Sequence, residues 1–224
     1  MTAAVAEKRT AETTAETEPA KTAETEARSD VMSEPSDLPG WVFPPREGYT
    51  AADLDHIPDL PAHTELIDGS LVFVSPQSSF HSRAVSLLEN ALRGVVPREL
   101  RVRREMSLIL ESRQRPEPDV SVIRAEAEQG DEQTAYQAAD AVLVVEVVSP
   151  ESEIRDRKRK PVLYAEAGIP HFWRVENQKG RPAVYVYELD PATSAYFLTG
   201  IHHDRLKVSL PFEIDIDLSE IDRF

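Results

Sequence analysis

Glu146 is the residue in this chain least able to be explained by solvent. It lies in Val142-Leu143-Val144-Val145-Glu146-Val147-Val148, a β-branched run in which a free carboxylate would be stranded. Burying an unpaired carboxylate costs several kcal/mol or more, so Glu146 requires a cation, a proton or hydrogen-bond donors. A strand-end glutamate paired with Arg or Lys would also satisfy it. Asp119 is the second such residue, following Pro116-Glu117-Pro118 and opening Val120-Ser121-Val122-Ile123. Read alone, it is more simply a turn aspartate before a strand. Together, two carboxylates on neighbouring central strands could hold a hard divalent cation such as Mg²⁺ or Mn²⁺, which prefers oxygen ligands. Lys160 follows on the next helix, where an ammonium could orient a water or stabilise phosphate charge. Its plainer role is an i, i+4 pair with Asp156. Glu65 is either a further metal-site carboxylate or a polar residue before a hairpin. His81 opens a helix, a common place for a capping or surface histidine.

These residues need elements to hold them. Ala141–Val148 is apolar over its length, as in a strand buried on both faces of a sheet. A helix is expected over Ile154–Ala167, stopped by Gly168 and Pro170, with strands at His171–Val175, Ala183–Glu188 and Tyr196–Gly200. Upstream, Asp68-Gly69 is a hairpin turn signal between two short strands spanning Glu65–Val74. Ala84, Leu87, Leu88, Ala91 and Leu92 recur at helical spacing within His81–Arg93. Thr50–Leu54 has the form of a short capped helix. Strands are expected at Glu105–Leu110 and Asp119–Ile123, with polar residues 124–140 as a loop or short helix. Strand, helix, strand in this order predicts an α/β (α+β mixed-sheet) domain with helices flanking a central sheet.

Composition narrows the function classes. The chain has 224 residues, 40 acidic against 25 basic, for a net charge of −15. Residues 1–28 hold 8 Ala, 7 Thr and 6 Glu, and residues 1–40 carry 9 acidic and 4 basic side chains. So biased a segment buries too little apolar surface to offset its ordering entropy, and residues 1–40 are expected to be a disordered acidic tail before a single domain at 41–224. Cysteine is absent, which excludes disulfides and thiolate metal sites. Neither a membrane-spanning run nor a secretory h-region is visible, so a cytoplasmic protein with no membrane partner is expected. Dinucleotide, P-loop, hydrolase-elbow and HExxH zinc signatures are all missing. The acidic balance argues against nucleic acid, but basic residues cluster locally at Arg98, Arg101, Arg103 and Arg104, and at Arg155, Arg157, Lys158, Arg159 and Lys160. These are candidate phosphate contacts, or else solvated helix and loop charge.

The order of the elements adds a resemblance. Glu65-Leu66-Ile67-Asp68-Gly69, the helix at His81, Pro118-Asp119, Val145-Glu146-Val147-Val148-Ser149-Pro150, and Asp156 with Lys160 and Tyr164 resemble the Uma-two-type putative restriction endonuclease family of the PD-(D/E)XK nuclease superfamily. The likeness continues through Tyr164–Trp173 and Leu210–Leu218, covering roughly residues 50–222. It implies a restriction-endonuclease-like core and Mg²⁺-dependent hydrolysis of DNA, with Asp119 and Glu146 as metal ligands and Glu65 as an auxiliary ligand. The superfamily's lysine would stand two residues after Glu146, where this chain has Val148. Lys160 matches the family's lysine instead, and its head must reach back to the metal. The resemblance equally admits a catalytically inactive DNA-binding or accessory module with the same fold. A homodimer would suit cleavage of two strands.

Overall fold

The computed structural model describes residues 38–224; the acidic tail expected over 1–40 lies outside the described residues up to position 37. The centre is a six-stranded mixed sheet. Its strands, with the shorter ones around it, are β1 (Glu65–Ile67), β2 (Ser70–Val72), β3 (Leu100–Arg104), β4 (Ser107–Ile109), β5 (Val120–Arg124), β6 (Ala135–Gln137), β7 (Ala141–Val147), β8 (His171–Gln178), β9 (Arg181–Asp190), β10 (Ala195–His202), β11 (Arg205–Val208) and β12 (Ile214–Asp217). The main sheet runs β10-β9-β8-β7-β5-β3. Only β7 and β8 pair in parallel within it. That follows from the helix between them, since a parallel neighbour requires a crossover.

Alternation along β7 divides the molecule into two layers. Leu143, Val145 and Val147 face helix α1 (Ser79–Val95), whose stripe of Ala84, Val85, Leu88 and Leu92 is buried against them. The β11–β12 pair and the C-terminal turn at Leu218 and Ile221 complete this hydrophobic layer. Val144 faces the other way, with Tyr164, Phe172, Ile169 and Leu108. Glu146 has the same parity as Val144 and so enters this second layer. The sheet is therefore flanked by helices on both faces, as the sequence predicts.

Local departures have physical reasons. The Asp68-Gly69 turn forms as expected, with both residues at positive φ. At Thr50–Leu54 the Asp53 carboxylate accepts from the Thr50 N–H and hydroxyl, closing a turn, and a 3₁₀ turn covers Asp53–Asp55 in place of a helix. Strand β3 was hidden by its arginines, which an edge strand tolerates because one side of it is solvated. The helix after β7 begins with a π turn at Arg155–Arg159 before α2 (Lys160–Glu166). Pro161 explains it: proline lacks the N–H for the usual bond to Arg157, and its ring crowds that carbonyl. The coil widens, and the Lys160 N–H bonds five residues back to the Arg155 carbonyl. No helix among the described residues is long and apolar enough to cross a membrane.

Candidate active site

Register sets the first two carboxylates side by side. In the β5–β7 pair Val120 faces Val145, so the next step outward places Asp119 opposite Glu146. Asp119 sits just beyond the end of β5, and its two oxygens have separate partners. Oδ2 accepts from the Val147 N–H at 2.6 Å, and Oδ1 lies 3.0 Å from Nε2 of His81. The Asp119 carboxylate is thus fixed in rotation by a strand amide and a helix-borne imidazole.

Glu146 is 2% exposed. Its Oε1 accepts from the Tyr164 hydroxyl at 2.5 Å and its Oε2 from the Lys160 ammonium at 3.0 Å. Lys160 also lies 2.8 Å from Glu65 Oε1 and 3.5 Å from Asp156 Oδ1. Glu65 reaches this point because β1 alternates, sending Leu66 to the opposite side. Its Oε1 also accepts from the Glu117 N–H at 2.8 Å. The π turn contributes as well, since widening the helix between Asp156 and Lys160 leaves both buried on its inner side. Such bulges concentrate at functional sites.

The group opens into a cleft of about 380 Å³ that carries seven carboxylates: Glu65, Glu105, Glu117, Asp119, Glu146, Glu151 and Asp156. Lys160 and Arg155 are its only Lys or Arg cations. Electrostatics follow from that imbalance. Burial first, then the neighbouring charges of Asp156, Asp119 and Glu65, push the Glu146 carboxyl well above the usual carboxylate range despite Lys160. Burial, with the charges of Asp119 and Glu65, raises Asp156 against the opposing pull of Lys160. For Lys160 burial disfavours the ammonium, but Glu146, Glu65 and Asp156 together outweigh it and hold the lysine protonated. Burial raises Glu117, opposed by its 2.5 Å contact with His63.

A donor set of hard carboxylate oxygens with surplus negative charge fits a divalent cation in kind. Asp119, Glu146 and Glu65 are the residues that would hold it. No group of three or more such side chains among the described residues is already spaced around a vacant ion position. The Lys160 ammonium lies between Glu65 and Glu146 instead.

The structure thus brings Glu65, Glu146 and Lys160 into direct contact and sets Asp119 on the same cleft wall. His81, expected to cap or face solvent, is buried against Asp119. It had no distinguishing sequence signal beyond its place one turn into α1, after the Ser78 cap. Tyr164 was legible only as part of the wider resemblance, whereas Asp156 was legible as the i, i+4 partner of Lys160, a pair the structure forms. Most of the expected phosphate contacts are already engaged. Arg101 and Arg103 meet Glu128, and Arg103 also bonds the Tyr136 hydroxyl. Arg104 lies near Glu89 and Glu105, Arg155 pairs with Glu151, and Arg157 with Glu153 and Glu176. Arg159 pairs with Asp68, while Lys158 has no carboxylate partner among the described residues. Of these arginines only Arg155 lines the cleft.

Comparison with known proteins agrees with this architecture. The fold is similar to the crystal structure of a putative nuclease belonging to DUF820 from Anabaena variabilis, with a TM-score of 0.53 at 17% identity, covering 75% of this chain and 96% of that one. At that identity the likeness speaks for the fold alone. No curated protein matches the chain. The family profile of Uma2, described as putative restriction endonuclease, matches residues 51–219. That span takes in every residue of the cleft named above, and the chain belongs to the Uma2 putative restriction endonuclease family.

Proposed function

We propose that the protein is a cytoplasmic, divalent-metal-dependent endonuclease that hydrolyses phosphodiester bonds in DNA. Residues 41–224 form its catalytic domain. Its carrying observation is the buried contact of Glu65, Glu146 and Lys160 at the base of a cleft whose wall holds Asp119. Mg²⁺ or Mn²⁺ bound by Asp119, Glu146 and Glu65 would supply Lewis acidity to a phosphate oxygen and to a water. The chain does the positioning. Val147 and His81 hold Asp119, while Tyr164 and Lys160 hold Glu146. Lys160, kept protonated by its carboxylates, orients the attacking water and stabilises the negative charge that gathers on the phosphate oxygens. Arg155 at the cleft wall, with Arg101, Arg103, Arg104 and Arg157 farther out, meets the backbone once phosphate displaces their present carboxylate partners, and Lys158 meets it without such an exchange. A homodimer would carry two such clefts, one for each strand.

One observation favours a second reading. Lys160 already neutralises part of the charge between Glu65 and Glu146, as it would in an inactive binding or accessory module. Incubating supercoiled plasmid and oligonucleotides with Mg²⁺, Mn²⁺ or EDTA separates the two. Cleavage by wild type that needs metal and is lost in Asp119→Ala and Glu146→Ala supports the nuclease. Cleavage persisting in both variants contradicts the site. DNA binding without cleavage on any substrate supports the accessory module.

A further inference from the structure

A second cleft lies on the other side of the β1–β2 hairpin from the acidic one. Leu66 and Leu71 pack with Tyr49 on that side, and the neighbouring residues Phe73 and Val74 turn into opposite clefts. This second cleft holds about 490 Å³, and its walls include Trp41, Phe73, Pro45, Arg46 and Arg113 with no Asp or Glu. In a protein of net charge −15 that lining contrasts with the seven carboxylates of the acidic cleft.

Its parts are preformed. Trp41 and Phe73 stand with ring centroids 5.2 Å apart, tilted at 55°, and Phe73 is 42% exposed. The Tyr49 hydroxyl donates to the Trp41 carbonyl at 2.9 Å, anchoring the segment that carries the indole. Arg113 lies across Gly69, where a Cβ would come within 2.5 Å of its guanidinium, and donates to the Asp68 carbonyl. Arg46 has no carboxylate partner among the described residues, and neither has Arg113, unlike Arg101, Arg103 and Arg104 on the sheet edge. The Trp41 Nε1 is buried without an acceptor. An exposed Phe73 ring and a half-buried indole beside arginines without carboxylate partners match the π-face and phosphate of a nucleotide, the combination used to bind single strands.

We propose that this cleft stacks an unpaired nucleobase of the strand whose phosphate enters the acidic cleft, passing over the β2 end at Phe73 and Val74. The preferred substrate is then single-stranded or locally melted DNA, since a paired base has no free face to offer. The assignment rests on the nuclease reading for its link to cleavage, but the binding itself can be read apart from it.

The chain has two tryptophans, and Trp173 is fully buried, so a ligand in this cleft reports through Trp41. Wild-type protein is titrated in EDTA with an oligo-dT of about 15 nucleotides and with a duplex of equal length. The expected result is quenching by the single strand, with affinity about tenfold above the duplex. Phe73→Leu, which keeps the apolar bulk, should bind the single strand about tenfold more weakly, and Phe73→Tyr should retain affinity. Arg46→Ala should lower the slope of log affinity against log salt by about 0.7, the loss of one phosphate contact. Absence of quenching, or equal binding of single strand and duplex by wild type and Phe73→Leu, overturns the proposal. Metal-dependent cleavage is scored separately. Quenching without cleavage keeps the base site and removes the nuclease reading, whereas cleavage without quenching does the reverse.

Discussion

The two faces of strand β7 spend their burial differently. Toward α1, Leu143, Val145 and Val147 belong to one hydrophobic cluster with the α1 stripe. Toward α2, the same strand buries Glu146 against a lysine, a tyrosine and further carboxylates. Both faces are equally dry, but removing a charged group's water is costly and its partners return only part of that cost. A hydrophobic replacement of similar volume would commonly be as stable or more so. The α1 face is therefore built for packing, while the α2 face joins its own apolar cluster of Val144, Tyr164 and Phe172 to a charged group that stability does not require, the group proposed for chemistry.

That contrast can be broken by substitution. Lys160→Ala should have the largest effect, leaving Glu65, Glu146 and Asp156 buried without their shared cation. A loss of about 3–5 kcal/mol is expected in urea unfolding, together with loss of cleavage. A variant as stable as wild type would mean that the carboxylates are already compensated. Leu143→Ala should cost about 2–5 kcal/mol by opening a cavity under α1, with activity per folded molecule retained. Tyr164→Phe removes the hydroxyl that donates to Glu146 and should cost about 1–3 kcal/mol, with a measurable drop in cleavage rate because one Glu146 oxygen loses its tether. Arg157→Ala sits at the small end. Its exposed pairs with Glu153 and Glu176 contribute within about 0.5 kcal/mol to stability. If it meets phosphate, the salt dependence of DNA binding should fall by about 0.9 in slope.

Much of the α1 face was legible because it obeys simple periodicities. Three-and-four spacing marked α1, an unbroken β-branched run marked β7, and Asp68-Gly69 marked the hairpin. The α2 face was legible through its violations. A glutamate inside Val-Val-Glu-Val-Val has no local explanation, and that alone pointed to Glu146. What stayed hidden depends on three-dimensional proximity. His81 reaches Asp119 from a helix 38 positions away in sequence, and no spacing rule joins them. The π turn follows from Pro161, whose effect on the reach of Lys160 emerges only when the helix is built. Strand β3 escaped because alternating arginines disguise an edge strand as a charged loop. The net charge is a poor guide to any one surface for a related reason: the acidic excess is partly concentrated in one cleft, and the Trp41–Phe73 cleft beside it has no Asp or Glu.

The central claim, that one face of β7 is structural and the other functional, is tested most directly by a paired measurement. Glu146→Gln and Leu143→Ala are each assayed for unfolding free energy and for Mg²⁺-dependent DNA cleavage on the same preparations. Glu146→Gln relieves the crowding of carboxylates while keeping shape, so it should unfold no earlier than wild type and lose at least about a hundredfold in cleavage. Leu143→Ala should unfold earlier and cleave normally while folded. If Glu146→Gln cleaves like wild type, the assignment of the buried carboxylate to catalysis is wrong.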